Sequence, residues 1–189
     1  LFTALLDTCV LWPSLQRDFL LSMAAEGLYR PIWSQTILDE LVHAETAKRV
    51  RRGANEEQAR GAAERLVAQM EWAFDDASVT GWQPLVGSYG LPDPDDEHVV
   101  AAAVIGGAGV IVSDNLRDLP ARLLPDGLEA VTAAQFAADT VSVSPRTART
   151  AVERMSTRHR NPRQTPDQVL DVLRQRYGLD QAAEMIRMS

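Results

Sequence analysis

The sequence predicts an α/β fold around a central parallel sheet, followed by a helical C-terminal extension. Three observations carry this. Short apolar runs alternate with stretches of helical periodicity from residue 2 to about residue 140. Two of those runs end on an aspartate. Beyond Ser144 the chain offers helix-start signals, in Ser144-Pro145 and in Thr165-Pro166-Asp167, where proline takes the first helical position after a hydroxyl cap.

The elements follow in order. FTALL, residues 2–6, reads as a buried strand ending at Asp7-Thr8. From Pro13 to Glu26 the residues Leu15, Phe19, Leu20 and Met23 recur at helical spacing, with Gly27 as the stop. Leu28 to Trp33 form a second strand. Ser34 caps a helix from Gln35 to about Val50, and another runs from Asn55 to about Phe74, the two forming a hairpin. Glycines and prolines between Asp75 and Pro94 leave only a scrap of strand near Val79. A capped helix from about Asp95 to Ile105 stops at Gly106-Gly107, and Val110 to Ser113 form a strand ending at Asp114. Leu128 to Val131 give the last strand, and Thr132 caps a helix over Ala133 to Ala138. Three short helices are expected in the tail, with Asn161-Pro162 separating the first from the others. The domain division is 1–143 for the α/β unit and 144–189 for the extension.

Composition narrows the class. The chain has 189 residues and a formal charge of −7, unevenly spread. Residues 1–144 hold 10 Lys+Arg against 21 Asp+Glu, net −11, whereas residues 145–189 hold 9 against 5, net +4. The single cysteine, Cys9, excludes an internal disulfide and a CxxC zinc module and fits a reducing cytoplasm. No apolar run approaches the ~20 residues of a membrane span, and the first residues lack the basic lead-in of a signal peptide, so the expected location is cytoplasmic with no membrane partner. There is no P-loop, and GGAG at 106–109 precedes a strand where a phosphate-cradling loop opens a helix, which argues against a nucleotide cofactor. VGSYG lacks the first glycine of a serine-hydrolase elbow.

The chemistry lies in the acids. Asp7, Asp93, Asp95, Asp96 and Asp114 all fall beside strand ends or helix starts, and in an open parallel sheet the carboxyl ends of the strands form the binding crevice. Carboxylates gathered without basic neighbours repel one another unless protons or hard divalent cations offset the charge. Singly, Asp93 and Asp95 read equally well as helix caps. Asp96 precedes Val99 and Val100 by three and four residues, on the sheet-facing side, where an unpaired carboxylate is costly. On the helix SQTILDELVHAETAKRV both Asp39 and Glu40 flank the apolar stripe, and periodicity does not choose between them.

Asp7 in ALLDTCVL, Glu40 in WSQTILDELVHA, and the run LPDPDDEHVVAAAVIGGAGVIVSDNLRDLP, in that order, resemble a PIN-domain ribonuclease, closest in flavour to the VapC-type toxins of bacterial toxin–antitoxin pairs. The resemblance covers about residues 2–140. It implies a three-layer α/β/α PIN-like fold and an acid set of Asp7, Glu40, Asp96 and a fourth acid in SDNLRD. Where family members often show Thr-x-Asp, this chain has Ser113-Asp114-Asn115, so Asp114 or Asp118 takes that place, as in a related subgroup with asparagine there and aspartate three residues on. The implied catalytic set is Asp7, Glu40, Asp96 and Asp114. The implied metal ligands are Asp7, Asp96 and Glu40, with Asp93, Asp114 and Asp118 as further candidates, and Thr8, Ser113 and Asn115 as residues that orient them.

The implied activity is an Mg²⁺-dependent endoribonuclease, with Mn²⁺ able to substitute, in which a metal-activated water attacks phosphorus and leaves 5′-phosphate and 3′-hydroxyl ends. No histidine is required, and the three in the chain are scattered; His98 is expected to point away from Asp96, and Cys9 to be a buried apolar filler. The four tryptophans are expected in the core or at interfaces. Arg49, Arg51 and Arg52 end the Glu40 helix, and Arg146, Arg149, Arg154, Arg158, Arg160 and Arg163 cluster in the tail. Of these, Arg49, Arg51, Arg52, Arg154 and Arg158 are candidate RNA contacts, with helix-dipole pairing and docking onto the acidic body as the structural alternatives. Expected partners are RNA, a cognate antitoxin and a second copy in a homodimer. Alternative functions are a DNA-directed or structure-specific nuclease on the same fold, and a non-catalytic PIN-like scaffold that binds a protein.

Overall fold

The computed structural model describes residues 1–158 and 164–189. The expected separator Asn161-Pro162, together with Arg160 and Arg163, lies outside the described residues. Among the described residues five strands, β1 (Thr3–Leu6), β2 (Arg30–Ser34), β3 (Ser78–Val79), β4 (Val110–Val112) and β5 (Glu129–Val131), form one parallel sheet in the order β3-β2-β1-β4-β5. β1 lies at the centre, and Ala4, Leu5 and Leu6 are fully buried, which is why that strand reads as an unbroken apolar run. Pro31 is tolerated in β2 because β3 pairs only with Trp33 and Ser34, further along the strand.

The register positions the site. Leu6 pairs with Val112, so β1 and β4 end side by side and the residues that follow, Asp7 and Ser113, are neighbours. The Asp7 N–H donates to Val112 O at 3.1 Å, and the Ser113 N–H to Val131 O at 3.0 Å.

Around the sheet lie α1 (Thr8–Leu11), α2 (Ser14–Ala25), α3 (Gln35–Arg51), α4 (Glu56–Ala73), α5 (Glu97–Ile105), α6 (Ala133–Val143), α7 (Pro145–Arg158), α8 (Pro166–Tyr177) and α9 (Asp180–Arg187). Ser34 and Asn55 cap α3 and α4 through their side chains, and the two helices pack as the expected hairpin. The four-residue α1 carries no periodic signal of its own and was not expected. Helix α5 begins later than expected because Pro94–Asp96 form a 3₁₀ turn ahead of it. It ends at Gly106, where a Cβ would stand 2.3 Å from Ile32 Cδ1 and 2.8 Å from Val79 Cγ2; glycine is what lets the end of α5 approach β2 and β3. Helix α6 continues past Ala138 to Val143 because Val141 is buried in the common core.

Among the described residues the tail forms three helices, as expected, and shares the core of the body. α7 packs on α2 and α9 on α6, burying Ala148, Val152, Met155 and Ile186. Trp33 and Trp82 are buried as expected, whereas Trp72 is 87% exposed and Trp12 36%. No helix among the described residues is long and apolar enough to cross a membrane.

Candidate functional site

Asp7 leaves the end of β1 and caps α1, so its position is fixed by the sheet and its orientation by the helix start. Its Oδ1 accepts from the Thr8 N–H at 2.7 Å; its Oδ2 accepts from Ser113 Oγ at 2.7 Å and from Cys9 Sγ at 3.2 Å. The expectation for Cys9 is corrected here. The thiol is half-buried, stands 3.3 Å from Ser113 Oγ and accepts from the Asp114 N–H at 3.3 Å. Burial, and after it the charge of Asp7, pushes its pKa up to about 12, so it is a neutral hydrogen-bonding group at the site.

Glu40 comes from the second turn of α3. Its Oε2 accepts from Thr8 Oγ1 at 2.5 Å, and its Oε1 lies 3.2 Å from His98 Nε2. Burial alone would raise its pKa, but hydrogen bonds from His98 and Thr8, with the charge of His98, bring it below the ordinary glutamate value. Asp39 instead accepts from Gln35 Nε2 at 2.9 Å on the exposed face of the same helix, which resolves the ambiguity that periodicity left. His98 was expected to point away, and it does not. Its Nε2 is turned to Glu40 of α3, a partner on another element that spacing from Asp96 does not reveal. His98 is 9% exposed, and its Nδ1 has no hydrogen-bond partner among the described residues.

Asp96 is half-buried at the entrance to α5. Burial first, then the charges of Asp7, Asp93 and Asp118, raise its pKa to about 6. Asn115 Nδ2 donates to its Oδ2 at 3.3 Å. Asp93 caps the 3₁₀ turn, accepting from the Asp95 N–H at 3.0 Å. The two candidates for the fourth acid part company: the charge of Asp118 reaches Asp96 and raises its proton affinity, while Asp114 Oδ1 accepts from the Ala133 N–H at 3.0 Å, at the start of α6.

Glu97 carries no signal in the local sequence pattern. It is 2% exposed and accepts from the N–H groups of Gly87, Tyr89 and Leu91 at 3.0, 3.1 and 3.0 Å. These bonds hold its pKa below the ordinary value against the cost of burial, and they tie the long loop before α5 to the helix that carries Asp96. Glu45 is a second surprise. Buried on α3, it pairs with Arg17 at 3.2 Å, with Lys48, and with Arg49 at 3.7 Å. Two of the basic residues that close α3 are thus engaged internally, while Arg51 and Arg52 are exposed. In the tail, Arg154 pairs with Glu26 at 2.6 Å and Arg158 Nη2 donates to Ser22 Oγ at 2.6 Å, so both reach the body.

No lysine or arginine among the described residues pairs with Asp7, Glu40 or Asp96. As they stand, no three Asp, Glu, His or Cys side chains among the described residues lie close enough to hold an ion between them. The donor set nonetheless suits a hard cation that keeps most of its waters: carboxylate oxygens of Asp7 and Asp96 that repel each other, with Asp118 beside them.

The parallel five-stranded sheet with its surrounding helices is a PIN-like α/β/α fold. Residues 3–117 match the family model described as PIN domain, and the chain belongs to the PIN-domain family. Residues 133–188, from the start of α6 through α9, match the model described as VapC50 C-terminal domain, and the two matches in sequence are those of a VapC-type nuclease toxin. Comparison with curated proteins and with solved structures finds no match.

Proposed function

We propose that this chain is a Mg²⁺-dependent endoribonuclease, the toxin of a toxin–antitoxin pair acting in the cytoplasm, with residues 1–143 as the nuclease unit and 144–189 as its helical extension. The observation that carries the reading is the Asp7 and Asp96 pair. A strand-end acid and a helix-start acid interact with no lysine or arginine among the described residues paired to either, and burial, followed by the charge of Asp7, raises the proton affinity of Asp96.

A divalent ion held by Asp7 and Asp96 would supply the positive charge that polarises a scissile phosphate and acidifies a water. The chain's own residues prepare that place. Ser113, Cys9 and the Thr8 amide fix both oxygens of Asp7. Asn115 orients Asp96. Thr8 and His98 keep Glu40 ionised and aimed, available to accept a proton or to bond a water. Asp118 adds charge on the side where Asp114 is occupied by α6, and is the better fourth acid. Hydrolysis of the P–O3′ bond leaves a 5′-phosphate and a 3′-hydroxyl. The test is cleavage of RNA and DNA oligomers by the full chain with Mg²⁺ or Mn²⁺. RNA fragments bearing 5′-phosphate, lost in Asp96→Asn, are expected; cleavage of DNA alone overturns the RNA assignment.

A further inference from the structure

A groove of about 800 Å³ runs between the body and the tail, with Trp12, Asp18, Lys48 and Arg52 on one side and Arg176 and Tyr177 of α8 on the other. Two helices set its position relative to the acids. Asp7 caps α1 and Trp12 closes it, the Trp12 N–H donating to Thr8 O at 2.9 Å, so the groove opens about one helical turn from Asp7. On α3, Glu40 is followed one turn later by Ala44, whose carbonyl accepts from Trp12 Nε1 at 3.3 Å, and then by Lys48. The groove therefore lies roughly 12 Å along α3 from Glu40.

Three cations line it against one acid, in a molecule whose net charge is −7. Lys48 is already engaged: its Nζ bonds Glu45, Trp12 O and Ser14 Oγ and stands 5.2 Å from the centre of the Trp12 ring. Arg52 and Arg176 make no ion pair among the described residues, so their charge is directed at the groove. The rings sit beside the cations. Trp12 is partly open, and the guanidinium of Arg176 lies 5.7 Å from the centre of the Tyr177 ring. Guanidinium groups next to aromatic faces hold unpaired nucleotides, phosphates on the charges and bases against the rings. A duplex keeps its base faces stacked inside and so offers the two rings nothing to stack on.

We propose that this groove binds single-stranded RNA next to the cleaved bond, with α8 of the tail supplying Arg176 and Tyr177 as one wall. The proposal rests on the nuclease reading above and gives the C-terminal helices a part in substrate choice. The tail arginines that stand out in the sequence, Arg154 and Arg158, tie α7 to the body, and the cation that meets the groove is one the sequence did not single out.

The test uses the full chain carrying Asp7→Asn, titrated with a fluorescent single-stranded RNA of about twelve nucleotides, with the same sequence as a duplex, and with poly-glutamate of similar length. Single strands are expected to bind best. Arg176→Glu and Tyr177→Ala each weaken that binding roughly tenfold, Arg176→Glu flattens its salt dependence, and Tyr177→Phe, which keeps the ring and the fold, retains it. Unchanged affinity in Arg176→Glu and Arg52→Glu, or duplex or poly-glutamate binding as tight as the single strand, overturns the groove. Cleavage by the unsubstituted chain is read separately, so a failure of the nuclease reading leaves the binding result intact.

Discussion

Ser113 Oγ donates to Asp7 Oδ2 at 2.7 Å across the seam between β1 and β4, joining residues that stand 106 positions apart in the chain. The bond fixes the orientation of a carboxylate that the strand end only positions. Ser113→Ala removes it and leaves Asp7 with the Thr8 amide and the Cys9 thiol. Mg²⁺ affinity and cleavage rate should fall by roughly ten- to a hundredfold, the usual effect of losing a group that orients a metal ligand. Metal titration by calorimetry checks this, and an unchanged affinity would show that Asp7 needs no help from β4.

Asp96 gives the metal-free chain a pH dependence of definite sign. Its pKa of about 6 lies above the ordinary value of 3.8, so its folded form favours the proton. Its contribution to stability is full below about pH 4 and is lost as pH rises through about 6. With chelator present, the melting temperature should carry a downward component over that window that Asp96→Asn abolishes. Added Mg²⁺ should raise the melting temperature more at about pH 7.5 than at about pH 5, because at the lower pH a proton competes for the same oxygens.

Glu97 has the opposite sign. Its pKa is held below 4.5, so its support of the loop is present above that value and fades as pH falls through the folded pKa. Glu97→Gln keeps the shape but removes the charge that three amides share, at a cost of about 1–3 kcal/mol. Hydrogen exchange should accelerate at Gly87, Tyr89 and Leu91, and cleavage should weaken because Asp96 is the neighbouring residue.

Gly106→Ala drives a methyl group into Ile32 Cδ1 and Val79 Cγ2 and should destabilise the fold by about 1–3 kcal/mol, read by denaturant titration. Adding Ile32→Val removes the nearer of the two atoms and should recover part of the loss. Additive losses in the double variant would mean that the clash lies elsewhere.

Much of this molecule is legible in its sequence because local rules and tertiary demands agree. FTALL is fully apolar because β1 has a strand on each side and layers above and below. Ser34, Asn55, Thr132 and Thr165 announce helices, and each accepts the amide bond that the signal implies. Asp7, Glu40 and Asp96 were legible as a resemblance, and Asp7 also as a strand end. What stayed hidden depends on long-range partners. Nothing local distinguishes Glu40 from Asp39; Thr8 and His98 do, and they arrive from α1 and α5. Glu45 is a buried acid that meets Arg17 of α2 as well as its own helix, and Glu97 one whose partners lie on an irregular loop, so no period marks them. His98 is hidden because its partner, Glu40, lies on α3, and Cys9 because packing habits of cysteine say nothing of the acid beside it.

The strand order also governs when during synthesis the site can exist. β1, made before the other four strands described, becomes the middle of the sheet, and it waits for a neighbour made more than a hundred residues later, Val112, to accept the amide of Asp7. A nascent chain halted before that point carries Asp7 and Glu40 but neither Ser113 nor Asn115, so its acids have no frame to hold them. The acids of the site therefore come together only once β4 has been made and can lie against β1.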